Sequence, residues 1–282
     1  MTDSTKTAFV TGAGGGLGGA TARYLATRGW RVIAADLDEE ALEALAREAS
    51  SVTPIPLDVT STTSVEAARA RVGALTDGLD AVVNFAGVLA IGSLVEIDED
   101  VIRRAVDINL LGTFRVNKAL FPLVLARKGR IVTVSSEQGW QTAMPFVGPY
   151  TASKYAVEGY SDSLRRELMF LGVKVIKLQP GPFRTSMVGG IEERFDRLAA
   201  SSPHFGELLT RLKHLTLREQ ARAHDPAVLA AVVHDALTAR RPRAVYSVRP
   251  DLSRSLLSAL PERVIDPVLY VALRILASLP PR

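Results

Sequence analysis

The chain has 282 residues, 47% of them apolar and 23% charged, long enough to bury one large α/β core. It contains no cysteine, which excludes disulfides, thiolate metal sites and thiol nucleophiles. Its four histidines (His204, His214, His224 and His234) follow no metal-ligand spacing, so no metal site is expected. The net charge of +4 is modest and the Arg240–Arg243 run is short, which gives nucleic-acid binding little support. No apolar segment follows a basic start at the N-terminus, and no apolar run approaches the ~20 residues of a spanning helix, so a cytoplasmic protein is expected.

Residues 6–11 read as a buried strand centred on Ala8-Phe9-Val10. Thr11-Gly12-Ala13-Gly14-Gly15-Gly16-Leu17-Gly18-Gly19 follows, then apolar residues at helical spacing to about Arg28. A strand, a glycine turn and a helix N-terminus together bind anions. The helix dipole favours negative charge, backbone N–H groups point outward, and missing side chains let a pyrophosphate approach. Two glycine patterns fit: Gly14, Gly16 and Gly19 as GxGxxG, or Gly12, Gly16 and Gly18 as GxxxGxG. A second strand, 31–35, ends at Asp36, where a carboxylate can accept hydrogen bonds from an adenosine ribose and repel a 2′-phosphate. Leu37 follows it and no basic residue lies within 13–17, so NAD is favoured over NADP. As a helix cap for the acidic segment 38–49, Asp38 is better placed than Asp36.

A third strand at 52–57, broken by Pro54 and Pro56, leads to Asp58-Val59 and a helix over 61–75. The fourth strand, 80–84, closes in Asn84-Phe85-Ala86-Gly87, small enough for a flat ring to approach the backbone. Strand alternating with helix predicts a parallel sheet with right-handed crossovers and ligands beyond the C-terminal strand ends, where the marked residues fall. A helix over 98–127 carries Asn109 in mid-run. That residue is either tolerated on an exposed face or sits at a kink whose freed carbonyl can hold a water. The fifth strand, 130–134, ends at Ser135-Ser136, turn residues or hydroxyl donors to a substrate oxygen.

A helix over 150–171 opens with Tyr150-Thr151-Ala152-Ser153-Lys154. Positions four apart share a helix face, so a phenol and an ammonium can meet in one pocket. Bringing a phenol from ~10 to ~7 takes roughly 4 kcal/mol, which one positive charge at about 4 Å supplies in a dielectric of ~20. The spacing alone decides nothing, because Tyr24 with Arg28 and Tyr270 with Arg274 share it. A sixth strand at 173–178 precedes Gln179-Pro180-Gly181-Pro182-Phe183-Arg184-Thr185.

With these motifs in order, the chain resembles a single-domain short-chain dehydrogenase/reductase over about residues 5–190. The matching elements are TGxxxGxG at 11–18, Asp58, NxAG at 84–87, Asn109, the serine near 136, YxxxK at 150–154 and PGxxxT at 180–185. The resemblance implies a Rossmann-like doubly wound parallel sheet of about seven strands, with helices on both faces. It implies Tyr150 as acid/base, with Lys154 holding the nicotinamide ribose and lowering the tyrosine pKa. Ser136 would polarise the substrate oxygen, Asn109 would hold a water linking Lys154 to solvent, Thr185 would meet the carboxamide, and Asp58 and Val59 the adenine. The cofactor set is Gly12, Gly14, Gly15, Gly16, Leu17, Gly18, Asp36, Leu37, Asp58, Val59, Asn84, Ala86, Gly87, Tyr150, Lys154, Pro180, Gly181 and Thr185. Two departures stand out: Phe85 replaces the family's usual second asparagine, and Ser136 lies fourteen residues before Tyr150 rather than thirteen, with Ser135 at fifteen.

Residues 186–222 mix apolar and charged residues as an amphipathic substrate lid would; a helix from 226 to about 239 and a strand at 244–248 follow. In the 250–282 helical extension, Leu252, Leu256, Leu257, Leu260, Leu269, Leu273 and Leu276 recur at helical intervals. They are expected to pack on the body or on a second subunit of a homodimer or homotetramer, in preference to lying on a membrane surface. The expected activity is NAD-dependent interconversion of a secondary alcohol and a ketone on a bulky hydrophobic substrate. An isomerase or dehydratase using the same pocket, and a non-catalytic NAD-sensing regulator, are the alternatives.

Overall fold

The computed structural model describes residues 5–278; residues 1–4 and 279–282, at the two ends of the expected 1–282 domain, and the side chains of Ser186, Leu276, Ala277 and Ser278 lie outside the described residues. Seven parallel strands form one sheet: β1 (Thr7–Thr11), β2 (Arg31–Asp36), β3 (Val52–Pro56), β4 (Ala81–Asn84), β5 (Arg130–Val134), β6 (Lys174–Pro180) and β7 (Val245–Val248). Their order is β3-β2-β1-β4-β5-β6-β7, and every neighbouring pair is parallel. This is the expected doubly wound, Rossmann-like sheet. β1 is buried along its whole length, as a strand covered on both faces must be. Pro54 and Pro56 are accommodated because β3 is an edge strand, where a missing N–H breaks no second ladder.

One face is covered by α1 (Gly16–Thr27), α2 (Glu39–Glu48) and α9 (Pro226–Thr238), whose Leu25, Leu42, Leu229 and Val233 pack on Val10, Val32 and Val83. The other is covered by α3 (Thr62–Leu75), α5 (Thr113–Arg127) and α6 (Gly148–Leu168), which bring Val72, Leu120, Val124 and Leu168 against Phe9, Ile33 and Ile131. Asp38 caps α2, its side chain accepting from the Ala41 N–H, which leaves Asp36 free of that duty.

The predicted 98–127 helix is interrupted. α4 (Glu99–Val106) passes through a π-helical turn, Asp107–Gly112, into α5. Asn109 lies within this turn and is 1% exposed, so the exposed-face reading does not hold. The 186–222 segment folds into α7 (Ile191–Ser201) and α8 (Gly206–Ala221), whose Ile191, Phe195 and Leu209 join Ile91 in a third apolar cluster. The extension forms α10 (Leu252–Leu257) and α11 (Glu262–Ser278). No helix among the described residues is long and apolar enough to cross a membrane.

The strand order reverses between β1 and β4. Their paired ends, Thr11 and Asn84, open a crevice at the C-terminal edge, where the site described next is built.

Candidate active site

A cavity of about 990 Å³ runs along this edge from the glycine turn to the start of α6. At one end, Gly12 turns the chain at φ +67°, and a Cβ there would stand 2.7 Å from Ala86 N. A Cβ on Gly18 would stand 2.1 Å from Gly12 O. The first glycine thus permits the turn and Gly18 lets α1 pack on it, while a Cβ on Gly19 would also stand 2.9 Å from Ala13 O, so both glycine patterns meet backbone here. Gly14, Gly15, Gly16, Leu17 and Gly18 line the cavity, and α1 starts there with no side-chain cap, leaving backbone N–H groups for an anion. Asp36 Oδ2 accepts from Gly14 N at 2.9 Å and Oδ1 from Asp38 N at 3.1 Å, fixing the carboxylate beside the loop. Leu37, Asp58, Val59, Ala86, Gly87, Pro180, Gly181 and Thr185 also line the cavity. Asp58 is held by Thr60, whose N–H and hydroxyl reach its Oδ1 at 2.8 and 2.7 Å. The cradle kept clear of side chains, the uncapped helix start and the fixed carboxylate fit a dinucleotide.

Asn84 does not line this cavity, a correction to the predicted cofactor set. Its Nδ2 donates to Asn117 Oδ1 at 2.9 Å and Val132 O at 3.2 Å, because strand alternation turns it below the sheet toward α5. Asn109 is also absent from the lining. Its Oδ1 accepts from Val88 N at 2.8 Å, and its Nδ2 donates to Val88 O at 3.1 Å and Ser153 Oγ at 2.9 Å. Its carbonyl, the expected water ligand, accepts from Thr113 Oγ1 at 2.9 Å. Asn109 therefore pins the Gly87-Val88 edge against α6, and a Cβ on Gly87 would lie 3.1 Å from Asn109 Oδ1 and 3.7 Å from Lys154 Nζ.

At the far end Tyr150 and Lys154 are both buried, 9% and 4% exposed. The Lys154 ammonium lies 5.6 Å from the centre of the Tyr150 ring and donates to Val134 O at 2.9 Å. The other two Tyr–cation pairs of the same spacing, Tyr24 with Arg28 and Tyr270 with Arg274, are exposed. Burial, invisible to spacing, singles out the one pair. The Ser136 hydroxyl lies on the side of Tyr150 where it favours the phenolate, and it accepts from Gln138 N at 3.2 Å. Ser135 turns away, its hydroxyl 3.4 Å from Lys154 O.

Burial pushes the Tyr150 phenol up to about 12; the Ser136 hydrogen bond pulls it down and the Glu137 charge adds to the rise. Burial also brings Lys154 down to about 8, opposed by the Glu158 charge. The expected drop of the phenol toward neutrality is thus not a property of the cofactor-free protein. Removing the phenol from water costs the phenolate more than the Ser136 hydroxyl returns. The lysine also carries a stability signature. Its folded pKa lies below its unfolded one, so the unfolded chain holds the extra proton between pH about 8 and 10.5. Stability rises with pH across that window, and the full penalty, on the order of 3 kcal/mol, persists below it. Lys154→Met should therefore raise stability by roughly 1–2 kcal/mol at pH 7, the unpaired Val134 O offsetting part of the gain, and lose that advantage above pH ~10.5. Urea melts of both proteins at the two pH values check it; a gain independent of pH would show that the lysine is not desolvated as described.

Sequence reasoning missed Val88, Leu89, Phe183, Met187 and Val188 in the lining, together with Arg103 and Arg104 from the last turn of α4. Their only signal is proximity to the motifs, because chain crossings, not spacing, bring them to the edge.

The model of the family described as short chain dehydrogenase matches residues 6–195. The mouse (Mus musculus) protein retinol dehydrogenase 7 is 35% identical over 94% of this chain and 88% of its own. Human (Homo sapiens) retinol dehydrogenase 16 is 37% identical over the same shares. Among solved structures, a short-chain dehydrogenase from Streptomyces avermitilis superposes with a TM-score of 0.78 at 26% identity, covering 99% of this chain and all of that one. A single-residue variant of actinorhodin polyketide ketoreductase, determined with NADPH, gives 0.75 at 28% identity, covering 87% of this chain and 96% of that one.

Proposed function

The chain belongs to the short-chain dehydrogenase family of oxidoreductases, and from that premise we propose that it interconverts a bulky, apolar secondary alcohol and its ketone with NAD as the hydride carrier. The observation that carries this reading is the meeting of Tyr150, Ser136 and Lys154 at one end of a cavity whose other end is the glycine turn. Bound there, a nicotinamide supplies the hydride acceptor or donor and, when oxidised, a positive charge.

The protein's own residues handle the proton. Ser136, whose hydroxyl faces Tyr150, orients the substrate oxygen, and Ser135 takes no part. In ketone reduction the Tyr150 phenol donates its proton to the developing alkoxide. In alcohol oxidation the phenolate removes the hydroxyl proton. A phenol held near 12 by burial needs positive charge for the second role; each unit charge at about 4 Å is worth roughly 4 kcal/mol, or about three pKa units, in a dielectric of ~20. Lys154, fixed by Val134 O with its ammonium 5.6 Å from the Tyr150 ring centre, provides positive charge on that side, and Asn109 positions the edge against which a flat ring would lie.

The apolar substrate follows from Leu89, Met187 and Val188 in the lining and from the Ile191, Phe195 and Leu209 cluster of α7 and α8 that packs against Leu89, a lid over the substrate end. The retinol dehydrogenases among the relatives bear the name of a large apolar alcohol, in keeping with it. NADH formation from NAD across a panel of secondary alcohols of increasing size tests the proposal. Turnover should favour bulky apolar members, and no NADH from any member would sink it. The preference for NAD rests on Asp36, which would repel a 2′-phosphate. Asp36→Ala should shift the NADP-to-NAD ratio of kcat/KM toward NADP by roughly 10-fold or more; an unchanged ratio would assign the discrimination elsewhere, with Arg103 and Arg104 next to consider.

A further inference from the structure

The residue after Ser136 is a buried carboxylate, Glu137, 5% exposed. Its partners come from the far end of the chain. Arg254 Nη2 pairs with its Oε1, and the Asp251 N–H donates to its Oε2 at 2.7 Å. Asp251 caps α10, accepting from Arg254 N at 2.9 Å, so the start of this helix is assembled on the Glu137 side chain. The same loop is tied at three further points. Gln141 Nε2 donates to Asp251 O at 3.1 Å and to Ser255 Oγ at 2.7 Å, and Thr142 N donates to Ser258 Oγ at 2.7 Å. On the opposite side Tyr155, from α6, donates to Gln141 O at 2.6 Å. Residues 137–142 are thus gripped between α6 and α10.

We propose that Glu137 and Arg254 are positioning residues for the reaction, a buried ion pair through which α10 holds Ser136 against Tyr150 and neutralises a negative charge that would otherwise oppose formation of the phenolate. The proposal rests on the Tyr150–Ser136 reading above. The charged groups facing each member are few. Tyr150 has Lys154 on its own helix and Glu137 on the loop; Glu137 has Arg254 and Asp251 from α10 and Glu219 from α8. Burial is the largest cause raising both groups; Glu137 adds to the rise of the phenol and the two acids add to that of Glu137, while Arg254 and the Asp251 N–H oppose the rise of Glu137. A merely structural pair would stabilise the fold without touching the acidity of Tyr150. A positioning pair makes the two single substitutions move that acidity in opposite directions.

The test titrates the Tyr150 phenolate in the NAD-saturated protein, as the ultraviolet difference between each variant and its Tyr150→Phe counterpart, beside the pH profile of kcat/KM. Glu137→Gln should lower the midpoint by roughly half a unit to one unit, and Arg254→Met should raise it by a similar amount and cut kcat roughly 10- to 100-fold with the KM for NAD within about twofold. Arg254→Lys should recover most of the loss. Because Arg254→Met strands a buried carboxylate and can unfold the protein, the double variant Glu137→Gln/Arg254→Met supplies a neutral pair of similar size. It should melt closer to wild type than Arg254→Met, with a midpoint near that of Glu137→Gln. Folded variants with an unmoved midpoint and kcat, or both single variants shifting the same way, would overturn the proposal. Full turnover in Tyr150→Phe would instead overturn the reading of the site, while the titration of the other tyrosines stays unchanged as the control.

Discussion

Tyr150→Phe is expected to lower turnover by about 10³-fold while leaving NADH affinity within about threefold of wild type. Phenylalanine keeps the ring in its buried place and the face presented to Lys154, so the cavity wall is retained and only the proton is lost. Ser136 loses its partner, but its hydroxyl still accepts from Gln138 N, so stability should change by no more than about 1 kcal/mol. The pH dependence of the wild type carries the sign of the same group. Burial raises the phenol, so oxidation, which uses the phenolate, should accelerate as pH rises above neutrality, and reduction, which uses the phenol, should hold its rate there. Stopped-flow or steady-state assays in both directions, with NADH binding followed by fluorescence, decide it. If the variant keeps a tenth of its activity in either direction, the proton comes from elsewhere.

The second large effect is at the glycine turn. In Gly18→Ala the new methyl would sit 2.1 Å from Gly12 O, and it meets backbone, which cannot rotate aside. Gly12 itself holds the left-handed φ of +67°, with the space beside its Cα closed by Ala86 N and Phe85 C, each 2.7 Å from where a Cβ would stand. The turn must open or α1 must lift off the sheet. We expect a loss of roughly 3 kcal/mol in folding stability and about 100-fold or more in dinucleotide affinity. Gly73→Ala is the internal control. It lies inside α3 with nothing within 4 Å of its Cβ position, so the same change there should add about 0.5–1 kcal/mol. Urea denaturation and equilibrium NADH binding on both variants separate them, and a Gly18→Ala protein that binds NADH like the wild type would refute the packing account.

The contrast between these two glycines shows what could be read in advance. Both are plain letters in the sequence, but one follows a short apolar strand in a run of glycines, and that local grammar marks it. The same holds for Asp36 at a strand end and for the strand–helix alternation that predicts the parallel sheet. The three Tyr–cation pairs show the reverse. They share one spacing, and only packing of Tyr150 and Lys154 under β5 distinguishes theirs from two exposed pairs. Asn84 was misplaced because its strand position indicates the edge of the sheet but not which side of it, and its side chain serves Asn117 and Val132. Asn109 was legible as an anomaly in a helix, yet the π-turn and the bonds to Val88 and Ser153 that explain it depend on segments 21 and 44 residues away.

By itself the sequence determined the sheet, the turn that receives a dinucleotide and the spacing of three phenol–cation pairs, because periodicity, glycine placement and short motifs act over one or two turns of chain; which of those pairs is buried was left to packing. Tertiary structure alone decided which serine faces the phenol, that burial raises its pKa, and that Arg254 reaches back to Glu137. These depend on desolvation, on the path of the loop between Ser136 and Tyr150 and on a contact spanning 117 residues, none of which a local pattern encodes.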